Sequence, residues 1–342
     1  MAAVGTAPPT PVNGRAPAPF HLERIMGHAS ALFHRDPAFA APARFWRGNL
    51  HTHSNRSDGA LPPGEVCRRY RAAGYDFVAL TEHFLGLFGY PITDTAPFRT
   101  PDFTTLPGAE LHAGAQENGE IWHILAVGLP PDFLPPDAPH FLPRPGQETG
   151  PAIAARARAA GAFVAVAHPE WSRLTDADAR SLEAAHAVEV YNHSAAVGAD
   201  RPHGFHALDQ LLDEGRALTL VAADDAHFTE PDHFGGWVMA KAEALDPDAL
   251  LAALKAGRFY SSTGPEIHDV AWDRRTVRVR CSPAAAVIAV GAGSKAAALH
   301  GAGMTNVTLK LNLVADSPWR RLVVVDARGR RAWSNPMRIA DR

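Results

Sequence analysis

Phe45-Trp46-Arg47-Gly48-Asn49-Leu50-His51-Thr52-His53 is a short strand-like run that ends on two histidines one residue apart. In an extended strand, residues i and i+2 point to the same side, so both imidazoles can reach one metal ion. A His-x-His pair also arises by chance in a chain with 18 histidines, so its weight depends on its surroundings.

Working outward, the same rhythm recurs as far as Thr229. Apolar runs fall at residues 45–50, 75–80, 105–109, 121–127, 163–167, 187–191 and 218–223. Continuous apolar runs suit strands buried on both faces, as in a parallel sheet flanked by helices. Helices are predicted at 63–73, which opens on proline and stops at Gly74, and at 151–160, which stops at Gly161. Another at 203–214 carries Phe205, Leu208, Leu211 and Leu212 at helical spacing, a stripe expected to face the core. Seven strands with intervening helices predict an α/β barrel or a close relative. The proline-rich stretches 84–104 and 129–148 read as loops over the strand ends, where function tends to lie.

Most of the predicted strands deliver a ligand-type residue at one end. Asp58 follows the first in Ser-Asp-Gly, His83 ends the second in Thr-Glu-His, and Glu110 ends the third in Gly-Ala-Glu. His123 lies in the fourth, His168 ends the fifth before Pro169, and Asp225-Ala-His227 ends the seventh. A random distribution would scatter these residues through helices and surface loops. Imidazole and carboxylate donors without thiolates suit zinc, manganese or iron, and the set is too large for one ion. A carbamylated lysine, which bridges the metals of many amidohydrolases, is ruled out because no lysine precedes Lys241. A carboxylate must bridge instead, and Glu110 is the candidate.

The bulk numbers set the remaining bounds. A chain of 342 residues can hold a large catalytic domain and a small one, and 46% hydrophobic with 20% charged residues is an ordinary globular profile. Net charge of -3 offers no basic surface for nucleic acid, and no apolar run approaches the ~20 residues needed to span a bilayer. The first twenty residues are rich in Ala and Pro without a secretory apolar segment, so residues 1–40 are expected to be a flexible tail and the location cytoplasmic. With only Cys67 and Cys281 there is no disulfide framework, and Cys67 is expected to pack on the helix after Asp58. A helix is also predicted at 247–256. Beyond Gly264-Pro265 the pattern turns to period-two alternation, with Val277, Val279 and Cys281 against Arg278 and Arg280, and Val307, Leu309, Leu311 and Leu313 against polar neighbours. Residues 322–325 and 331–333 read as a hairpin. The chain therefore divides into the tail, a barrel over 41–265 and a small antiparallel β domain over 266–342.

The set His51-Thr-His53-Ser-Asn-Arg-Ser57-Asp58-Gly59, Thr81-Glu-His83, Gly108-Ala-Glu110, His123-Ile-Leu-Ala-Val-Gly128, His168-Pro169, Glu189-Val-Tyr-Asn192 and Asp225-Ala-His227 resembles the PHP (polymerase and histidinol phosphatase) family. The resemblance covers roughly residues 45–265. It implies a distorted seven-stranded (β/α) barrel with a trinuclear site, carrying two or three divalent ions. One ion would take His51, His53, Glu110 and Asp225, a second Glu110, His123 and His168, and a third Asp58, His83 and His227. The segment Lys255–Gly264 and the tail Ala332-Trp-Ser-Asn-Pro336 are similar to the carbaryl-hydrolase-like branch. Glu82 and Asp224 depart from the usual family residues, and Asp224 adds a carboxylate that competes with Asp225. No polymerase domain accompanies the motifs.

The implied activity is hydrolysis by a hydroxide bridging two ions near Glu110, with Asp225 beside it. A phosphomonoester or phosphodiester fits best, and a carboxyl or carbamate ester suits the same apparatus. The expected partner is a small anionic ester. Arg56 is a candidate for pairing with it, and His193 for protonating the leaving group. A solvated arginine and a loop histidine are the plainer alternatives. Glu189 can orient a ligand or cap its strand, His112 is a minor ligand candidate, and Trp171 is either pocket wall or core. His186, His203, His206, His233 and His268 have no motif context. A metal-binding barrel without catalysis is the remaining alternative, which the near-complete ligand set disfavours.

Overall fold

The computed structural model describes residues 34–40, 42–136 and 148–339. It is a mixed α/β fold whose described strands join one large sheet. All seven predicted runs form strands: β1 (Arg44–Asn49), β2 (Phe77–Leu80), β3 (Thr104–Leu111), β4 (Ile124–Val127), β5 (Phe163–Val166), β6 (Ala187–Asn192) and β7 (Thr219–Ala223). They pair in chain order, each with the next. The two ends of this series also meet. Thr52, just past β1, bridges Ala226, just past β7, and the His51 carbonyl accepts from the Asp225 amide at 2.9 Å.

One strand departs from the expected parallel order. β4 runs antiparallel to both β3 and β5. A parallel crossover needs about a dozen residues or more, usually with a helix. The chain between β3 and β4 carries no helix and turns back on itself through an Ala115–Ile121 bridge. The reversal moves the ligand position to the other end of the strand. His123 directly precedes β4, so this N-terminal end reaches the rim where the parallel strands present their C-terminal ends.

The helices follow their sequence signals. The first ordered turn is α1 (Pro37–Ala40). α2 (Pro63–Ala72) opens on Pro63 and is followed by Gly74 at φ 81°, a left-handed conformation that glycine adopts freely. α3 (Gly150–Ala159) is capped by the Thr149 hydroxyl, which accepts from the Ala152 amide. Two short helices lacked a clear signal, α4 (Asp176–Ser181) and α5 (His193–Ala199). α6 (Phe205–Asp213) buries Ala207, Leu208, Leu211 and Leu212, while Phe205 is half-buried against Trp333 with ring centroids 5.6 Å apart. α7 (Pro247–Lys255) is capped by Asp246. Among the described residues, no helix is long and apolar enough to cross a membrane.

Two further strands, β8 (Trp237–Ala242) and β9 (Phe259–Ser262), join the sheet antiparallel, β8 against β1 and β9 against β8. β1 and β2 approach so closely that a Cβ on Gly48 would lie 2.1 Å from the Phe77 ring. Beyond residue 266 come β10 (Ile267–Trp272), β11 (Thr276–Gly291), β12 (Ala296–Lys310), β13 (Trp319–Val325) and β14 (Arg331–Ser334). All their mutual pairings are antiparallel, including the expected β13–β14 hairpin. Val277, Val279 and Cys281 are buried while Arg278 and Arg280 are exposed, as the alternation predicts. Leu313 breaks it, because it lies in a 3-10 turn and is 71% exposed.

The strands beyond 266 are continuous with the earlier ones, since β14 pairs with β9, and residues Phe33–Arg342 form one compact unit. Residues 34–40, placed in the expected tail, are anchored to the sheet. His34–Arg35 pairs with β10, and Phe39 of α1 packs on Phe45 and Tyr260 at 5.4 and 5.9 Å between ring centroids. The rest of that tail, residues 1–33, lies outside the described residues, as does the 137–147 part of the second predicted loop.

Candidate metal centre

The nine ligand-type residues converge at one rim of the sheet. His51 and His53 extend β1 and are fully buried, with ring centroids 5.3 Å apart. Asp225 follows β7 at φ 58°, a left-handed turn rare outside glycine but tolerated by Asp. Its Oδ1 lies 2.9 Å from His53 Nε2 and 3.2 Å from His51 Nε2. Glu110 occupies β3 at the centre of the group and is completely buried. Its Oε1 is 2.7 Å from His123 Nδ1 and 3.0 Å from His168 Nε2. Its Oε2 lies 2.8 Å from His83 Nδ1 and 3.5 Å from His51 Nε2. His83 reaches this point because the two-residue strand His83–Phe84 pairs parallel with β3, placing His83 opposite Glu110.

Asp58 is the most exposed of the nine, on the loop after His53. It faces His83 Nε2 at 3.3 Å and His227 Nε2 at 3.5 Å. Glu82 holds that loop down, accepting from the Ser54 amide at 2.9 Å and from the Ser57 hydroxyl at 2.8 Å, and from the Ser54 hydroxyl as well. Gly59 lets the loop close over the histidine strand, since a Cβ there would lie 2.8 Å from the His53 carbonyl group.

Several imidazoles are fixed from behind. A histidine whose one ring nitrogen is held by an acceptor presents the other nitrogen as a lone pair, the usual arrangement in metal sites. His51 Nδ1 lies 3.1 Å from Glu189 Oε1, and His227 Nδ1 lies 2.8 Å from the Asp225 carbonyl. His168 Nδ1 is 3.0 Å from the Ser172 hydroxyl, and His112 Nδ1 is 2.9 Å from the Trp122 carbonyl. In each case Nε2 is the nitrogen left to face the cluster. Glu189 also accepts from the His168 amide at 2.7 Å and from Asn192, which in turn donates to Asp225 Oδ2 at 3.1 Å. Glu189 therefore orients two histidines directly, which favours its positioning role over a simple strand cap.

Burial and mutual charge govern the titration of the group. Burial pushes the Glu110 carboxyl up, but the imidazoles of His123, His83 and His51 hold it well below the usual carboxylate range. Burial similarly opposes charge on His83, yet Glu110 and Asp58 raise it to about 10. His53 is driven down to about 3 by burial and by its neighbours His83 and His227. Cations would take the place of protons in this balance.

The donor set fits metal ions on direct grounds. His51 Nε2, His53 Nδ1 and Glu110 Oε2 are buried and lack a hydrogen bond within the protein. Each such atom costs roughly 1–3 kcal/mol if left unsatisfied, a cost that bound cations would offset. Three groups each offer ligand atoms within 4.8 Å of one another: His51, His53, Glu110 and Asp225; His53, Asp58, His83 and His227; and His83, Glu110, His112 and His123.

Two expected site residues stand apart. His193 opens α5 rather than sitting in a loop, with Nδ1 3.0 Å from the Tyr191 hydroxyl. Arg56 is exposed on the Asp58 loop. Among the described residues, no hydrogen bond or ion pair joins either side chain to the nine. Asp224 does not compete with Asp225: its carboxylate accepts from the Tyr70 hydroxyl at 2.6 Å and from the amides of Phe234, Gly235 and Gly236 at 2.8–2.9 Å. Trp171 is 44% exposed and edge-on to His168 and His123, so it is not part of the core. The sequence assigns Glu82 and Asn192 no role beyond their places in the motifs, and Asp232, which accepts from the His227 amide at 2.8 Å, carries no sequence signal at all. Glu82 at least directly precedes a ligand candidate, His83.

No family model and no curated protein sequence matches the chain. Among solved structures, it is similar to a two-domain protein from Bacteroides vulgatus containing a predicted PHP-like metal-dependent phosphoesterase, at 16% identity and TM-score 0.48, covering 78% of this chain and 86% of that one. A protein from Bifidobacterium adolescentis described as a metal-dependent phosphoesterase aligns at 16% identity and TM-score 0.37, over 53% of this chain and 87% of that one. An amidohydrolase from Chromobacterium violaceum, with bound sulfate and no metal, aligns at 17% identity and TM-score 0.36, again over 53% and 87%.

Proposed function

We propose that the chain is a metal-dependent hydrolase of the PHP type, built on a distorted seven-stranded barrel, that cleaves a phosphate ester with the help of two or three divalent ions. The observation that carries this reading is the gathering of nine ligand-type side chains, with five imidazoles around buried Glu110 and several of the imidazoles held from behind with their lone pairs turned inward. His51, His53, Glu110 and Asp225 would hold one ion, Glu110, His123 and His168 a second, and Asp58, His83 and His227 a third. Zinc, manganese and iron suit these nitrogen and oxygen donors. When bound, such ions lower the pKa of water towards ~7 and polarise the ester oxygens.

The chain's own residues supply positioning. Glu110 spans the ligand groups, Glu189 and Asn192 fix the orientation of His51, His168 and Asp225, and Glu82 sets the Asp58 loop. Arg56 lies on that loop, exposed, where it can meet an anionic substrate. His193 is paired with Tyr191 and is given no step. A carbamate or carboxyl ester is the second reading. It is favoured by aromatic surface at the rim, where Trp171 stands beside His123 and His168, and Phe88 lies parallel to His83 at 6.4 Å.

The test counts metals in a metal-replete preparation and assays phosphomonoester, phosphodiester and aryl carbamate substrates in parallel. At least two ions per chain and phosphoesterase turnover are expected. Fewer than two ions would sink the cluster, and turnover of the carbamate alone would replace the first reading with the second.

A further inference from the structure

We propose that His112 is itself a metal ligand, closing with His83, Glu110 and His123 a cation position absent from the three groupings drawn from the family resemblance. The inference rests on the metallohydrolase reading above and deepens it. His112 is completely buried and lies two residues beyond Glu110, on the same side of an extended backbone. Its Nδ1 lies 2.9 Å from the Trp122 carbonyl. A carbonyl only accepts, so Nδ1 carries the hydrogen and Nε2 is the lone pair. That Nε2 is 2.8 Å from His83 Nδ1 and 3.9 Å from Glu110 Oε2. The His123 ring stands nearly perpendicular, at 87° and 4.4 Å between centroids.

A hydrogen bond between the two rings accounts for the 2.8 Å approach of His83 and His112, but not for the Glu110 carboxylate and the third imidazole that close on the same point. One of the carboxylate's oxygens, Oε2, is among the buried atoms without a hydrogen bond. One ligand atom from each of the four side chains lies within 4.8 Å of the others. Three imidazoles and a carboxylate suit zinc, manganese or ferrous iron, whereas calcium and magnesium favour all-oxygen shells. His83 faces Asp58 through Nε2 at 3.3 Å and His112 through Nδ1, so serving this cation and the Asp58–His227 one together would require it to lose both ring protons and bridge as an imidazolate. Four protein donors also make a more closed shell than three, which predicts a firmly held ion.

The experiment uses the full chain with His112→Gln and His112→Asn. Zinc content is measured after dialysis, affinity by competition with a chromophoric chelator, and the ligand field by the visible spectrum of the cobalt-loaded protein. The expected result is loss of one ion per chain, or a tenfold or greater weakening of one ion, with altered cobalt bands. Unchanged stoichiometry, affinity and cobalt spectrum in both variants would overturn the assignment. Should neither variant fold, the wild-type chain loaded with cadmium-113 and nitrogen-15 histidine decides: coupling between the metal and His112 Nε2 supports the role, and its absence removes it. Wild-type protein that holds fewer than two ions sinks the parent reading as well. Wild-type protein that holds its ions and hydrolyses an ester, alongside unaffected His112 variants, sinks this inference alone.

Discussion

The rim that carries Glu110 and the antiparallel strands beyond residue 266 are both deeply buried, yet they are built on opposite principles. In β10–β13 the buried positions are Val270, Trp272, Val277, Val279, Val287, Leu309 and Leu322, packed as one apolar cluster. Each such side chain contributes about 1.5–3 kcal/mol through burial alone. At the rim the buried atoms are imidazoles and carboxylates, three of them without a hydrogen bond. His168 and Asp225 hold left-handed backbone angles there, at φ 23° and 58°. Such local costs persist where the surrounding structure over-determines them, and they concentrate at functional sites. Both regions keep buried polar atoms without a hydrogen bond, Trp272 Nε1 and Arg320 Nε among the strands and His51 Nε2 and His53 Nδ1 at the rim. Among the described residues, however, the clusters of ligand-type groups lie at the rim, where on the proposed reading cations complete them.

The contrast breaks most sharply at Glu110. Glu110→Gln removes a charge shared by several histidines but keeps the side-chain shape. Turnover of the true substrate is expected to fall about a thousandfold or more, equivalent to roughly 4 kcal/mol of transition-state stabilisation. Metal content should drop with it, while circular dichroism of the metal-free protein stays native. Near wild-type turnover in the variant would show that Glu110 does not organise the site.

That division also explains what the sequence made legible. The seven strands were readable because long apolar runs such as 75–80 and 163–167 map onto fully buried strands. The candidate ligand positions stand out in the sequence because His51, His53, Glu110 and Asp225 each terminate or follow such a run. The direction of β4 was not, since an apolar run has the same composition in either orientation and only the helix-free connection after β3, which doubles back through the Ala115–Ile121 bridge, decides it. Glu82 and Asp232 were not, because their work is hydrogen bonding to backbone amides of a loop and leaves no periodic trace. Nor was the anchorage of residues 34–40, whose pairing with β10 is a contact of very high sequence separation.

In the apolar region the prediction inverts. Leu322 in β13 is fully buried, and Leu322→Ala should cost about 2–5 kcal/mol of folding stability through lost burial and the cavity left behind. Chemical denaturation measures it. Ions bound per folded chain and turnover per folded chain should both match wild type. A variant that keeps its stability but loses metal would dissolve the distinction between the two regions.

Asp36 refines the comparison, because it places a carboxyl among the apolar side chains of the strand region. Its Oδ1 accepts from the Ala38 amide at 3.1 Å, and the Trp272 indole beside it only partly offsets the effect of burial. Burial pushes its carboxyl up to about 6. A carboxyl whose folded pKa is raised binds its proton more tightly in the native state than in the unfolded chain. Its penalty is therefore absent below about pH 4, grows as pH rises towards 6, and is constant above that. Asp36→Asn keeps the acceptor for Ala38 and removes the charge, so it should stabilise the protein at pH 7.5 by up to about 3 kcal/mol. The gain should shrink to nearly nothing at pH 4. Measuring the difference between variant and wild type at each pH cancels the titration of the histidine rim, which both share. A gain that did not vary with pH would mean that the Asp36 charge is already compensated in the native state. The strands beyond 266 would then hold a polar contact of their own, and the contrast with the rim would be one of degree.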